Sequence, residues 1–208
     1  MCWNATADLA AGTVIAAVGA VCLARVRRVR DLPLAALPLL LGVHQLLEAA
    51  VWASDGGRSP AATAWAVIAF PLLPVWVPLG VLLAAGPEAR RRLWGPLAVG
   101  VATAGVLSYR LSTEPVSAEV RGHTLGYGVN VPWMPLLLAG YLFATLGSLL
   151  LAGDRRLRVL GAVLAVGALA CSALWRLEFA STWCAFAAVA SVLVLGWLRG
   201  RDPAPTVT

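Results

Sequence analysis

The chain has 208 residues, of which 60% are hydrophobic and only 12% are charged, and its mean hydropathy is +0.82. A soluble domain carries about 25% charged residues, so this composition excludes an ordinary soluble protein and predicts an all-α integral membrane protein. The net charge of +6 comes from arginine alone, because the sequence contains no lysine, and the grouping of the arginines in short connecting segments argues against a nucleic-acid-binding surface.

Seven apolar stretches follow one another along the chain. Each is about 17 to 24 residues long, which is the length a helix needs to cross the hydrocarbon of a bilayer. The sequence therefore predicts one seven-helix transmembrane domain over residues 1–200, followed by a disordered tail over 201–208. The predicted spans are 9–25, 32–53, 62–85, 95–111, 132–152, 158–177 and 180–198.

The arginines predict the orientation of these spans. Twelve of the 16 lie in alternate connections, at residues 25–30, 90–92, 155–158 and 199–201. Because cytoplasmic loops are enriched in basic residues, the N-terminus is expected outside and the C-terminus in the cytoplasm. The predicted location is a bacterial plasma membrane, crossed several times, with the arginines near anionic lipid headgroups.

The first span has polar residues just before its apolar run. Asn4, Thr6 and Asp8 are residue types that accept hydrogen bonds from the free N–H groups of a helix N-terminus. We interpret them as caps of the first helix.

His44 and Glu48 interrupt the second apolar stretch, within the segment GVHQLLEAAVW. Their four-residue spacing places both side chains on one face of a helix. Because an ionisable group facing lipid costs at least about 2.5 kcal/mol, this face is expected to point into the bundle.

The third span contains Pro71, Pro74 and Pro78. Proline lacks the backbone N–H and crowds the preceding turn, so we expect a bent or loosened helix whose freed carbonyls are bonded by neighbouring helices.

Most of the other polar residues in or beside the spans fall at the predicted outer ends. The same level is reached by the ends of the second, fourth and sixth spans, by the long loop 112–133, and by the start of the seventh span. The sequence predicts an outer-half pocket there, with several tryptophans, including Trp65 and Trp76, along its walls. Besides His44 and Glu48, the residues expected to line it are Trp52, Tyr109, Trp133, Trp175, Arg176, Glu178 and Trp183.

This group of residues favours acid catalysis on a hydrophobic substrate. A carboxyl in a dry apolar pocket keeps its proton near neutral pH and is able to donate it, as general acids in water-poor sites do. Aromatic faces then stabilise a carbocation by roughly 0.5–2 kcal/mol each. We assign Glu48 as proton donor, His44 as its hydrogen-bond partner, and Glu178, with Arg176 or Tyr109, as the group that orients the substrate or takes the final proton. No cofactor is expected.

A chain of just over 200 residues with seven spans, an acid on span two and another before the final span resembles the integral-membrane terpene cyclases. These include the fungal meroterpenoid cyclases and the small bacterial cyclases of indole sesquiterpenoids. The resemblance implies a prenylated or terpenoid lipid-soluble substrate and a prenyltransferase acting earlier in the pathway. The start MCWNATADLAAG and the helix HQLLE also resemble a family of actinobacterial membrane proteins that begin Met-Cys-aromatic, which implies no activity.

Two other interpretations stay open. His44 and Glu48 form an HxxxE pair that would hold a metal ion or haem together with Cys2 or His123. Alternatively, the pair would bond Arg176 or Arg110 and join helices in a non-enzymatic lipid-binding or assembly protein.

Overall fold

The computed structural model describes residues 4–122, 124–128, 133–174 and 185–201, and most of them are helical. Within these ranges seven helices, some composed of shorter segments joined without a loop, occupy the seven predicted apolar stretches. They are α1 (Ala5–Ala24), α2 (Val29–Ala53), α3 (Pro60–Ala84), α4 (Pro87–Thr113), α5 (Met134–Leu150), α6 (Arg155–Leu174) and α7 (Ala185–Arg199).

Three of these helices, α1, α2 and α3, are long and apolar enough to cross a membrane, with 20, 25 and 25 residues. The prediction of a mostly helical chain with membrane-length helices is thus confirmed. α4 begins at Pro87 rather than at residue 95, with Pro87 in its first turn and the acidic Glu88 next to the positive helix end. Arg90–Arg92, predicted to lie in a loop, are therefore part of the helix.

The segment between α4 and α5 contains two strands, which an all-α prediction misses. β1 (Ser117–Arg121) pairs antiparallel with β2 (Thr124–Gly128), and Ala118 lies opposite Tyr127. The backbone of Gly57, in the connection between α2 and α3, exchanges two hydrogen bonds with Ala118, at 2.7 and 3.0 Å. The hairpin is therefore attached to the ends of α2 and α3.

The prolines of α3 change its local winding. Residues Ile68–Leu72 form a π-helical turn around Pro71, and the N–H of Leu73 bonds the carbonyl of Ile68. The Ala69 carbonyl then lacks a helical partner, because Pro74 has no N–H, and the Tyr141 hydroxyl of α5 donates to it at 2.8 Å. The expectation that a neighbouring helix bonds a freed carbonyl is confirmed here.

α1 and α2 run antiparallel in close contact over two glycines. A Cβ at Gly42 would lie 2.5 Å from the backbone nitrogen of Ala16, and a Cβ at Gly19 would overlap the backbone of Leu39. Small residues allow helix backbones to approach in this way. A larger residue at Gly19 or Gly42 would therefore force α1 and α2 apart.

Arg201 connects α2, α3 and α7 at the end of the bundle opposite the hairpin. Its guanidinium donates to Asp31 at 2.7 Å and to the Ala84 carbonyl at 3.0 Å, and it lies 4.6 Å from the ring centre of Trp197. Asp31 is buried, so this end of the bundle also contains a buried ionisable group, although the sequence predicts most polar residues at the other end.

Candidate functional site

Glu48 lies on α2 with its side chain fully buried, at 0% exposure. The indole N–H of Trp65, on α3, donates to its Oε2 at 3.3 Å. Trp65 is 1% exposed. The polar face of α2 thus points into the bundle, and one carboxylate oxygen bonds an aromatic side chain of the neighbouring helix.

Trp65 reaches this position because α3 begins directly beyond the turn after α2. Ser59 caps the helix by accepting from the Ala62 N–H at 3.1 Å, and Pro60 occupies its first position. Both features favour a helix start here. Trp65 lies on the second turn, level with Glu48 on the antiparallel α2.

Three more rings surround Trp65. The His44 ring centre lies 4.7 Å away with the planes tilted by 33°, and Phe70 meets Trp65 edge-on at 5.9 Å. Tyr127 stacks on it face to face, with centres 3.6 Å apart and planes within 5°. We call His44, Glu48, Trp65, Phe70 and Tyr127 the carboxyl–aromatic cluster.

The hairpin packs over one end of this cluster and covers it. Tyr127 comes from β2, and Val116, Ala118 and Leu125 of the same region are buried against Val51 of α2 and the start of α3. Apolar side chains therefore separate the carboxyl from the surface at this end, as a water-poor reaction site requires.

The other residues predicted to line the pocket do not all lie near Glu48. Trp52 is half-buried and packs against the core below the hairpin. Tyr109 and Trp133 are 66% and 76% exposed and do not belong to the carboxyl–aromatic cluster. Trp76 lies in the core at the opposite end and donates to the Pro33 carbonyl at 2.8 Å. Trp175, Arg176, Glu178 and Trp183 lie outside the described residues.

The structural alternative named Arg110 as a partner of Glu48. In the structure Arg110 forms an ion pair with Glu114, four residues along the same helix. Trp65 donates the hydrogen bond described at Glu48 Oε2, and Arg176, the other arginine named for this role, lies outside the described residues.

One member of the cluster, the Phe70 ring in the π-helical turn, was not anticipated from the sequence. The burial of Asp8 on α1 was also not anticipated. Asn4 caps α1, its side chain accepting from the Ala7 N–H at 2.8 Å, and Asp8 lies in the first turn of the helix rather than at the N-cap position.

The metal alternative requires a third ligand beside His44 and Glu48. Within residues 4–122, 124–128, 133–174 and 185–201, no three His, Cys, Asp or Glu side chains come together as a metal site. Cys2 and His123, the proposed third ligands, lie outside these ranges, so the two-residue pair His44 and Glu48 is what the structure describes.

A cleft of about 570 Å³ opens at the opposite end of the bundle. Its charged lining residues are Glu88, Arg92, Asp154 and Arg201. Asp154 already accepts from the Trp197 indole at 3.1 Å, and Arg201 already bonds Asp31. These groups hold helices together, and the carboxyl–aromatic cluster remains the stronger candidate for chemistry.

Fold and site together define a helical protein with membrane-length helices and a buried carboxyl among aromatic rings. Residues 1–208 match the family of unknown function DUF6629, and the chain belongs to that family. No curated protein and no solved structure matches the chain. Family membership therefore assigns no activity, and the resemblance to terpene cyclases stays a prediction.

Proposed function

We propose that this protein is a multi-pass membrane enzyme that cyclises a prenylated or terpenoid substrate by protonating it from Glu48. The observation that carries the proposal is the fully buried Glu48 carboxyl, bonded by the Trp65 indole inside a group of aromatic rings. Intramembrane carboxyl groups are expensive to maintain and are commonly functional.

The membrane arrangement in this proposal has seven spans, an outer N-terminus and a cytoplasmic C-terminus. The seven described helices and the arginines of alternate connections support it. Glu48 then lies near the outer surface of a bacterial plasma membrane.

A fusion experiment tests this orientation. Green fluorescent protein at the C-terminus is expected to fluoresce, because it folds in the cytoplasm, whereas alkaline phosphatase at the same position is expected to be inactive. An active phosphatase fusion with a dark fluorescent fusion would reverse the assignment.

The reaction follows from the side chains of the cluster. Glu48 transfers its proton to one carbon of a substrate double bond, whose electron pair forms the new C–H bond and leaves a cation on the other carbon. A second double bond of the substrate attacks the cation and closes a ring, and loss of a proton completes an isomerisation without change of mass.

Neighbouring residues favour each stage. The Trp65 N–H stabilises the carboxylate that Glu48 becomes after proton transfer, as a charge-assisted hydrogen bond. Aromatic rings of the cluster attract the cation through the faces that are not stacked on a neighbouring ring, which for Tyr127 is the face turned away from Trp65, and each such contact contributes roughly 0.5–2 kcal/mol. The predicted role of Glu178 in the final deprotonation stays part of the proposal.

Conversion of a probe substrate tests the function. Membranes containing the chain are incubated in D₂O with a farnesylated indole, and products are analysed by mass spectrometry. We expect a product that, apart from one deuterium in a C–D bond, has the mass of the substrate, because Glu48 exchanges its proton with solvent before donating it. Unchanged substrate across a panel of prenylated indoles and quinones would contradict the proposal.

A further inference from the structure

One face of α2 carries three polar side chains at helical spacing. His44, Glu48 and Trp52 are four residues apart, so they lie in one row along the helix. His44 is 7% exposed, and its Nε2 has no hydrogen-bond partner among the described residues. The indole nitrogen of Trp52 is buried and, within the same part of the chain, also lacks an acceptor.

A buried indole N–H without an acceptor is unusual. Most buried polar atoms in proteins are hydrogen-bonded, and the indole nitrogen only donates. Tryptophans at a membrane interface normally reach water or lipid headgroups with this group. The Trp52 nitrogen does neither directly, because it is buried below the hairpin.

The three residues of the row lie at successive depths along α2. α2 ends at Ala53, so Trp52 lies next to the hairpin end of the bundle, Glu48 one turn deeper and His44 two turns deeper. Successive members are separated by about 6 Å along the axis. A molecule lying along the row would meet a hydrogen-bond donor first and the carboxyl next.

We infer that this row binds a terpenoid that carries an oxygen atom at one end, a hydroxyl, carbonyl or ether, which accepts the hydrogen bond of Trp52. Its hydrocarbon chain runs inward past Glu48, towards His44. The inference rests on the proposed function and narrows its substrate class from any prenylated hydrocarbon to oxygenated ones. Trp52 acts here as a binding residue that selects the polar end.

A matched pair of ligands tests the inference by binding alone. The purified protein in lipid nanodiscs is titrated calorimetrically with farnesol and with farnesene, which share a 15-carbon skeleton; farnesene lacks the hydroxyl and has a fourth double bond in its place. We expect farnesol to bind about tenfold more tightly, a difference of about 1.4 kcal/mol. Trp52→Phe is expected to remove this preference while leaving farnesene affinity unchanged.

Trp94→Phe is the matched control, because Trp94 is 58% exposed and lies at the opposite end of the bundle. Equal affinities of the wild-type protein for both ligands, an unchanged preference in Trp52→Phe, or no binding of either ligand would overturn the inference. A preference that depends on Trp52, without conversion of any substrate, would support the binding site and reject the cyclase. Conversion of farnesylated hydrocarbons by a protein that does not prefer farnesol to farnesene would support the cyclase and reject the binding site at Trp52.

Discussion

Replacing Glu48 with glutamine is expected to lower turnover of a prenylated substrate by about 10²- to 10⁴-fold, the contribution of a positioned general acid. Glutamine has nearly the same shape, and its amide oxygen still accepts the hydrogen bond from Trp65. The fold and the affinity for substrate are therefore expected to change little. The measurement is product formation per unit of protein in purified membranes, with unfolding recorded in parallel.

Glu88→Gln is the control for this substitution. Glu88 is exposed in the first turn of α4, at the end of the bundle opposite the carboxyl–aromatic cluster. The Glu88→Gln substitution also replaces a carboxyl with an amide. It is expected to leave turnover within about twofold, since surface changes away from special features have small effects. Equal activities of the Glu48→Gln and wild-type proteins would remove Glu48 from the mechanism.

Replacing Trp65 with alanine is expected to reduce the free energy of unfolding by about 4 kcal/mol, a value typical of a buried tryptophan. The side chain is 1% exposed, stacks on Tyr127 and meets the edge of Phe70. Its loss leaves a cavity and also removes the donor to Glu48. Unfolding in detergent, followed by far-ultraviolet circular dichroism, measures the change.

Two further variants separate the contributions of Trp65. Trp65→Phe keeps an aromatic ring against Tyr127 but removes the N–H, and the expected cost is about 1–3 kcal/mol from the lost hydrogen bond to a buried carboxyl. Trp94→Ala, at a site 58% exposed, is expected to cost about 0.5 kcal/mol or less. A Trp65→Ala protein as stable as Trp94→Ala would contradict the packing described for the cluster.

Much of the helical fold is predictable from the hydropathy pattern of the sequence. Apolar runs of membrane length identify the helices, because a chain in hydrocarbon must satisfy its backbone within each segment. The burial of Glu48 follows from the cost of exposing it to lipid. Both inferences use only the nature of residues close together in the chain.

The residues that surround Glu48 are harder to predict from the sequence. Trp65 is 17 residues away and Tyr127 is farther still, and their meeting depends on how α2, α3 and the hairpin pack. Hydropathy identifies each helix but does not determine which faces meet. The nine tryptophans of the chain are alike in this respect, so Trp65 and Trp76 were given the same role although they lie at opposite ends.

Local patterns also competed with one another. The hairpin strands are five residues each and β2 contains two glycines, Gly126 and Gly128, so the segment was interpreted as a loop. Asp8 has the residue type of a helix cap, but the N-cap position is occupied by Asn4, and Asp8 lies in the first turn. The close contact between α1 and α2 at Gly19 and Gly42 was missed, because a glycine's role depends on the opposite helix.

Infrared difference spectroscopy tests most directly whether Glu48 is a buried proton donor. The spectrum of Glu48→Gln is subtracted from that of the wild-type membrane protein at neutral pH, in H₂O and in D₂O. The proposal requires a carbonyl band of a protonated carboxylic acid, present in the wild type, absent in the variant and shifted by deuterium. A carboxylate band in place of this acid band would show that Glu48 has no proton to donate and would contradict the proposed mechanism.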